Sequence, residues 1–250
     1  MRYQLFAPAK VNLDLAITGR RPDMYHTLHS HVAFADVGDV IEMDVTEDRM
    51  FSCGLTLNGP FAHQLEGEDP HKNLAHRAAR AFCDTYGHKL KIKLTLTKNI
   101  PCGSGLGGGS SDAAAVLRGL AAFVGKDIAI FDTPFLTALG ADVPVCLYAE
   151  PCVMEGIGDV LSPWSMEDTD AVLIWPGPGG STKALYKAWA ARPVSVPGGN
   201  DFEPVASALC PGIAPALTAL KSLPGCREAR LSGSGTAVFG LFDPAPALSG

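Results

Sequence analysis

Residues 89–97, KLKIKLTLT, alternate strictly between apolar and polar positions. Leu90, Ile92, Leu94 and Leu96 fall on one face, with Lys89, Lys91 and Lys93 on the other. A period of two predicts a half-buried strand whose lysines face solvent. Less regular patterns predict strands in YQLFAPAKVNLDLAIT (3–18, broken at Pro8), HSHVAFADV (29–37) and DVIEMDVT (39–46), the last two separated by a turn at Gly38, and in CGLTLNGP (53–60). The period lengthens at 69–87, where Leu74, Ala78, Ala81 and Phe82 share a helical face and Gly87 supplies the stop. A helix of small residues is expected from Asp112 to about Gly125, and another over 128–140 despite Pro134. The polar break SPWSMEDTD sets a boundary between a first domain, 1–162, and a second, 163–250. The second should hold a buried strand AVLIWP (171–176), helices at 182–191 and around 213–222, and two strands flanking the Gly/Ser turn of REARLSGSGTAVFGLF. Strands cluster rather than alternating with helices, which makes the class α+β.

Composition narrows the function. The chain has 250 residues, 47% hydrophobic, with a net charge of −6. That balance argues against wrapping by nucleic acid or an anionic membrane, and no run reaches the roughly 18 apolar residues of a membrane helix. Seven scattered cysteines without a CxxC pair read as reduced thiols of a cytoplasmic protein, with a structural and not a nucleophilic use.

The chemistry concentrates in NIPCGSGLGGGSSDAAAVL (99–117), with five glycines and three serines between positions 103 and 111. Bare backbone before a helix lets a large anion approach amides that have no partner inside the helix. A tight turn capped by Ser or Asp would need fewer glycines, so the pattern favours phosphate. The Walker loop is excluded because Ser110 and Ser111 stand where Lys-Ser/Thr is required. A dinucleotide fingerprint lacks its acidic ribose partner, since Asp127 and Asp132 lie in a helical region.

Three segments in order carry a resemblance. PCGSGLGGGSSDAA (101–114) is similar to the phosphate-binding motif of the GHMP small-molecule kinases. APAKVNLDLAITGRRPDMYH (7–26) resembles their N-terminal motif, and RLSGSGTAVFGLF (230–242) their C-terminal one. The resemblance implies a two-lobed α+β kinase with the active site in the cleft. The first lobe would be like domain 2 of ribosomal protein S5, with a left-handed βαβ crossover, and the second ferredoxin-like. ATP would be the phosphoryl donor and Mg²⁺ its partner, although no acidic cluster advertises a metal cage. Within the superfamily, Lys10, Asn12, Tyr25-His26 and GADVP (140–144) resemble the branch whose acceptor is cytidine-diphosphate methylerythritol, an isoprenoid precursor. Other implied readings are a homoserine- or mevalonate-type kinase and a nucleotide-binding sensor without catalysis.

The resemblance also assigns residues. Asp142 matches the base that takes the acceptor's hydroxyl proton, and Lys10 the lysine beside it. Pro101, Gly103, Ser104, Gly105, Leu106, Gly107, Gly108, Gly109, Ser110 and Ser111 match the phosphate loop. Asn73 either borders adenine or caps a helix. Asn12 matches a residue at the acceptor hydroxyls; Tyr25 and His26 match the pair that stacks on and hydrogen-bonds to cytosine. Tyr186, after Thr182, is a second stacking platform or a buried helix residue. Residues 233–235 either approach phosphate or form a turn, and Asn200 and Asp201 fit a helix start. Met24 departs from the glycine usual before Tyr-His, and Ser104 from a glycine of the loop. The stretch DPAPALSG (243–250) is short for the helix and strand that complete such a lobe. The expectation is therefore a shortened second lobe in a monomer or weak homodimer.

Overall fold

The computed structural model describes residues 1–179, 182–191 and 193–243. In chain order the elements are β1 (Arg2–Asn12), β2 (Ala16–Arg20), β3 (His26–Glu47), β4 (Ser52–Asn58), α1 (Leu74–Tyr86), β5 (Leu90–Thr97) and α2 (Gly108–Phe123). There follow α3 (Thr133–Leu139), α4 (Val143–Tyr148), β6 (Cys152–Gly156), β7 (Val160–Pro163), β8 (Asp170–Ile174), α5 (Thr182–Ala191), α6 (Glu203–Leu209), α7 (Ile213–Ser222), β9 (Cys226–Leu231) and β10 (Val238–Phe242). Two compact units result. One comprises Met1–Lys10, Phe34–Cys102 and Gly107–Glu150; the other comprises Val11–Ala33, Gly103–Leu106 and Pro151–Gly250. The chain changes unit inside β1, inside β3 and inside the glycine loop, whereas the sequence suggested one cut after residue 162. No single helix among the described residues is long and apolar enough to cross a membrane.

In the first unit β5 lies between β4, parallel to it, and the second half of β3, antiparallel to it. Its alternation is as the pattern requires: Leu90, Ile92, Leu94 and Leu96 are buried, while Lys91 and Lys93 are exposed. Helix α1 joins β4 to β5, burying Ala75, Ala78, Ala79 and Phe82 and ending on Gly87 at φ 74°. Helix α2 buries Ala113, Ala114 and Ala115, and such small side chains let it lie close to α1. Pro134 falls in the first turn of α3, where its missing N–H costs nothing, and Asp132 caps that turn by accepting from Phe135 N.

Two expected breaks are absent. Gly38 makes no turn, because β3 runs unbroken over 22 residues. Its lack of a side chain serves a close approach, since a Cβ there would collide with the carbonyl of Ala7. Pro8 does not interrupt β1 either. Among the described residues that strand pairs with β3 alone, so a residue without an N–H can face away from the ladder.

In the second unit the first half of β3 pairs with β2 and β6, and β6 pairs with β7. A separate antiparallel sheet has the order β8-β10-β9 and comprises three strands among the described residues. Phe202, Ile213, Leu217, Leu220, Leu231 and Val238 form the centre of its core. The expected buried strand, β8, is instead an edge with exposed Asp170, Ala171 and Val172. With one strand neighbour, β10, among the described residues, it is covered less than an apolar run suggests. The expectation attached to the C-terminal stretch lies, from residue 244 on, outside the described residues.

A buried charge cluster fixes the start of α2 in the first unit. Lys98 Nζ donates to Asp39 Oδ2 and, at 2.9 Å, to Asp112 Oδ2. Asp39 Oδ1 also accepts from Ile100 N at 2.8 Å and from Asn99 N at 2.6 Å. These bonds tie β3 and the chain leaving β5 to the first turn of α2. Burial raises the Asp112 carboxyl to about 7, against the opposing pull of Lys98. Replacing Lys98 with Met would leave two carboxyl groups buried together, and we expect a loss of about 3–5 kcal/mol in denaturant unfolding. The sign for pH follows from the raised value: the folded state holds a proton that the unfolded state releases above about 4. Wild-type stability measured against Asp112→Asn should therefore fall as pH rises from 5 to 8.

Candidate functional site

Within the first unit the end of β1 delivers Lys10 to the start of α4. Its side chain is 4% exposed, and Nζ lies 2.9 Å from Asp142 Oδ2. Asp142 occupies the N-cap position of α4 yet makes no capping hydrogen bond, and its side chain stays 38% exposed. The carboxylate is thus spent on the lysine and on whatever approaches from solvent. Beneath it Cys146 is fully buried, its thiol pushed up to about 12 by desolvation, which removes it from nucleophilic chemistry.

The glycine loop is a run of left-handed residues: Gly103 at φ 68°, Gly105 at 89° and Gly107 at 67°. Helix α2 begins at Gly108, inside the glycine run and four residues before the expected Asp112. Its N-cap is Gly107, and no side chain caps it. The predicted capping groups point elsewhere. Ser111 Oγ donates to Pro8 O at 2.7 Å and is fully buried, so its hydroxyl is already committed, and Asp112 is in the charge cluster. Ser110 remains half-buried and Gly109 exposed at the opening turn, while Pro101 is buried where the loop begins. Gly107 admits Lys10: a Cβ there would lie 3.0 Å from Lys10 Cβ. Asn73 caps α1 by accepting from Ala75 N at 2.9 Å, and the neighbouring Leu74 approaches Gly109 closely enough that a Cβ there would lie 3.3 Å from its Cδ1.

The loop residues of the second unit are held by the 233–235 turn. Ser104 O accepts from Thr236 N at 3.0 Å and Ala237 N at 2.8 Å, and Ser104 and Leu106 are buried. A Cβ on Gly105 would lie 2.7 Å from Gly235 N. Asn200 brackets that turn, donating to Leu231 O at 3.0 Å and Gly233 O at 2.8 Å while Oδ1 accepts from Phe202 N. Asn12 Nδ2 donates to Ser30 Oγ at 2.8 Å, and its N–H to Ser232 Oγ at 3.1 Å. Its Oδ1 is buried without a partner, a polar group aimed at the turn of Gly233. Thr182 Oγ1 lies 3.3 Å from Ser234 Oγ.

His26 and Tyr186 meet as a stacked pair with ring centroids 5.1 Å apart, and Trp189 closes on the edge of His26 at 5.7 Å. Tyr186 also rests edge-on against Phe202 at 4.7 Å. Burial first, and Arg20 second, hold His26 below the usual imidazole range, so it is neutral at pH 7. Tyr25 is not part of this stack: it is 64% exposed at the end of a turn closed by Arg21 N donating to Tyr25 O at 2.8 Å. That turn holds Met24 at φ 73°.

Residues 73–150 match the GHMP kinases N terminal domain, and residues 182–249 match the GHMP kinases C terminal domain. The chain belongs to the GHMP kinase family. It is 43% identical to a 4-diphosphocytidyl-2-C-methyl-D-erythritol kinase of Paracoccus denitrificans, over 94% of this chain and 85% of that protein. A crystal structure of 4-(cytidine 5'-diphospho)-2C-methyl-D-erythritol kinase superposes with a TM-score of 0.75 at 33% identity, covering 96% of this chain and 90% of that one. Homoserine kinase from Cytophaga hutchinsonii shares the fold, with a TM-score of 0.66 at 19% identity over 96% of this chain and 84% of that one.

Sequence reasoning missed two supporting residues, one in each unit. Lys98 reads as one more lysine of a strand with a solvated face, and only its place after the last strand residue distinguishes it. Asn200 matches a segment of the family and fits a helix start, but neither reading shows a role for it. Conversely, the departure at Met24 acquires a reason: a left-handed φ suits glycine, and a side chain there costs about 1 kcal/mol. Met24→Gly should raise stability by about that amount in denaturant unfolding, because the exposed side chain forfeits little on removal. An unchanged or lower midpoint would show that the turn is unstrained.

Proposed function

We infer that this GHMP kinase moves the γ-phosphoryl group of ATP onto the 2-hydroxyl of 4-diphosphocytidyl-2-C-methyl-D-erythritol, as the names of its relatives imply. The observation that carries the mechanism is the pairing of Lys10 with an Asp142 that caps nothing and stays open to solvent. The donor fits the glycine loop. Its left-handed glycines and the uncapped start of α2 offer bare amides, and the helix dipole adds positive potential there. ATP supplies a phosphoryl group with a good leaving group; the protein supplies position and charge. Mg²⁺ would accompany the phosphates, where the half-buried Ser110 hydroxyl at the opening turn could serve as an oxygen ligand.

Asp142 accepts the proton of the acceptor hydroxyl, with Lys10 orienting the carboxylate through Oδ2 and adding positive charge beside the transferring group. Asn12 presents its unpartnered Oδ1 to a hydroxyl donor of the acceptor. Neutral His26, steadied by Tyr186, hydrogen-bonds to the cytosine edge, and Tyr25 covers the base from its exposed turn. A polar recognition edge of this kind penalises a wrong base by leaving buried groups unpaired. No disulfide links the seven cysteines and four of them are buried, in keeping with a cytoplasmic, reducing setting.

Asp142→Asn should lower kcat by about 10²–10⁴-fold while nucleotide affinity changes little. Turnover with the cytidine-linked acceptor and nucleotide binding by calorimetry measure the two separately, and near-normal turnover would remove the base assignment. Tyr25→Ala should raise KM for the acceptor far more than KM for ATP, whereas Tyr25→Phe stays near wild type. A panel that includes homoserine and mevalonate tests the acceptor itself, since faster turnover of either would replace the cytidine reading.

A further inference from the structure

A second cluster of chemically capable side chains occupies the other face of the strand that carries His26. Along β3 of the second unit, Leu28, Ser30 and Val32 turn inward, while His29 and His31 alternate onto the opposite face. Asp14, in the turn between β1 and β2, meets them there. One donor atom from each of Asp14, His29 and His31 lies within 4.8 Å of the others, and all three residues are half-buried. Asp14 Oδ2 is 2.7 Å from His31 Nδ1, and Oδ1 accepts from His31 N at 2.6 Å. The two imidazole rings stand edge to face at 5.2 Å. Glu155 is the cross-strand neighbour of His29 in the register of β6, which brings another carboxylate to the same stretch of sheet.

We propose that Asp14, His29 and His31 form a binding site for a divalent transition cation of the Zn²⁺ class, separate from the phosphoryl-transfer residues. Two imidazoles with a carboxylate are borderline ligands that favour Zn²⁺, Ni²⁺ or Cu²⁺ over Mg²⁺ and Ca²⁺, which take oxygen. Ligand bonds of about 2.0–2.2 Å put tetrahedral donors roughly 3.3 Å apart, so side-chain rotation must open the Asp14–His31 contact and draw the more distant donor in. Water or Glu155 completes a four-coordinate shell. The cation would clip the β1–β2 turn to β3. Asp14 is also bonded to the acceptor-binding frame, since Ser30 Oγ donates to its carbonyl at 2.5 Å and accepts from Asn12 Nδ2. The role is therefore stabilisation of that frame, with no part in the chemistry.

The test uses the full chain, stripped with a chelator and titrated with ZnCl₂ by calorimetry. Trp164 provides a local optical probe, because its ring lies 4.8 Å from that of His31. We expect one equivalent of Zn²⁺ to bind and to raise the melting temperature, and NiCl₂ to quench Trp164 fluorescence. His29→Ala should weaken Zn²⁺ binding by more than about tenfold and cancel both responses. His29 contributes only a ring contact on a half-buried surface, so that variant should fold and keep its kinase activity. Trp164→Phe should lose the optical signal and retain the heat of binding. Equal Zn²⁺ uptake by wild type and His29→Ala would assign the metal to the cysteines and overturn the proposal, as would displacement by equimolar MgCl₂.

Discussion

The opening turn of α2 is left without a cap, and much of the first unit is arranged around that omission. A helix start normally finds side-chain oxygens for its unpaired amides. Here the N-cap is Gly107, Ser111 spends its hydroxyl on Pro8, and Asp112 is turned into a buried ion cluster. Ser111 and Asp112, adjacent in sequence, are both engaged elsewhere, and Ser110 does not cap the turn either. What remains is a set of backbone donors at the positive end of a 16-residue helix, available to an anion.

Keeping such a turn in place without capping it requires rigidity from below. The Lys98 ammonium supplies it by holding Asp39 of β3 and Asp112 of α2 at once. Burial raises the Asp112 carboxyl, and the second carboxylate on the same buried lysine adds to that rise. Lys10 and Asp142 form a different kind of pair. There the lysine is buried but the carboxylate is open to solvent, so the pair can exchange its solvent contact for a substrate without stranding a charge. The same residue types thus serve anchoring in one place and, in the proposed mechanism, chemistry in the other, and burial of the carboxylate separates the two.

In the second unit aromatic side chains brace the histidine proposed to read the base. His26, Tyr186, Trp189 and Phe202 form a continuous series of ring contacts from β3 through α5 to the core. A neutral imidazole braced in this way offers a fixed donor and acceptor edge, which suits a heterocycle better than a mobile charged side chain does. Asn200 plays the corresponding part for the 233–235 turn, using all of its amide to fix three backbone groups.

Much of this was legible in the chain itself. The alternation of 89–97, the Gly87 stop and the five glycines before an alanine run are local signals, and local signals set strand, helix ends and loop. The motifs around Lys10, Gly103–Ser111 and Gly233–Gly235 were sufficient to name the family, because their spacing is a covalent property. Gly38 and Pro8 misled for the opposite reason: whether a glycine marks a turn or a close approach depends on Ala7, which lies 31 positions away in sequence. The early start of α2 depends on Lys98 and Pro8 having drawn Asp112 and Ser111 away from capping. The exposure of β8 depends on which strands flank it. Sequence determined where the backbone can bend and which groups it carries; tertiary structure decided which of those groups were left free, since a hydrogen-bonding group is available only if no distant partner has claimed it.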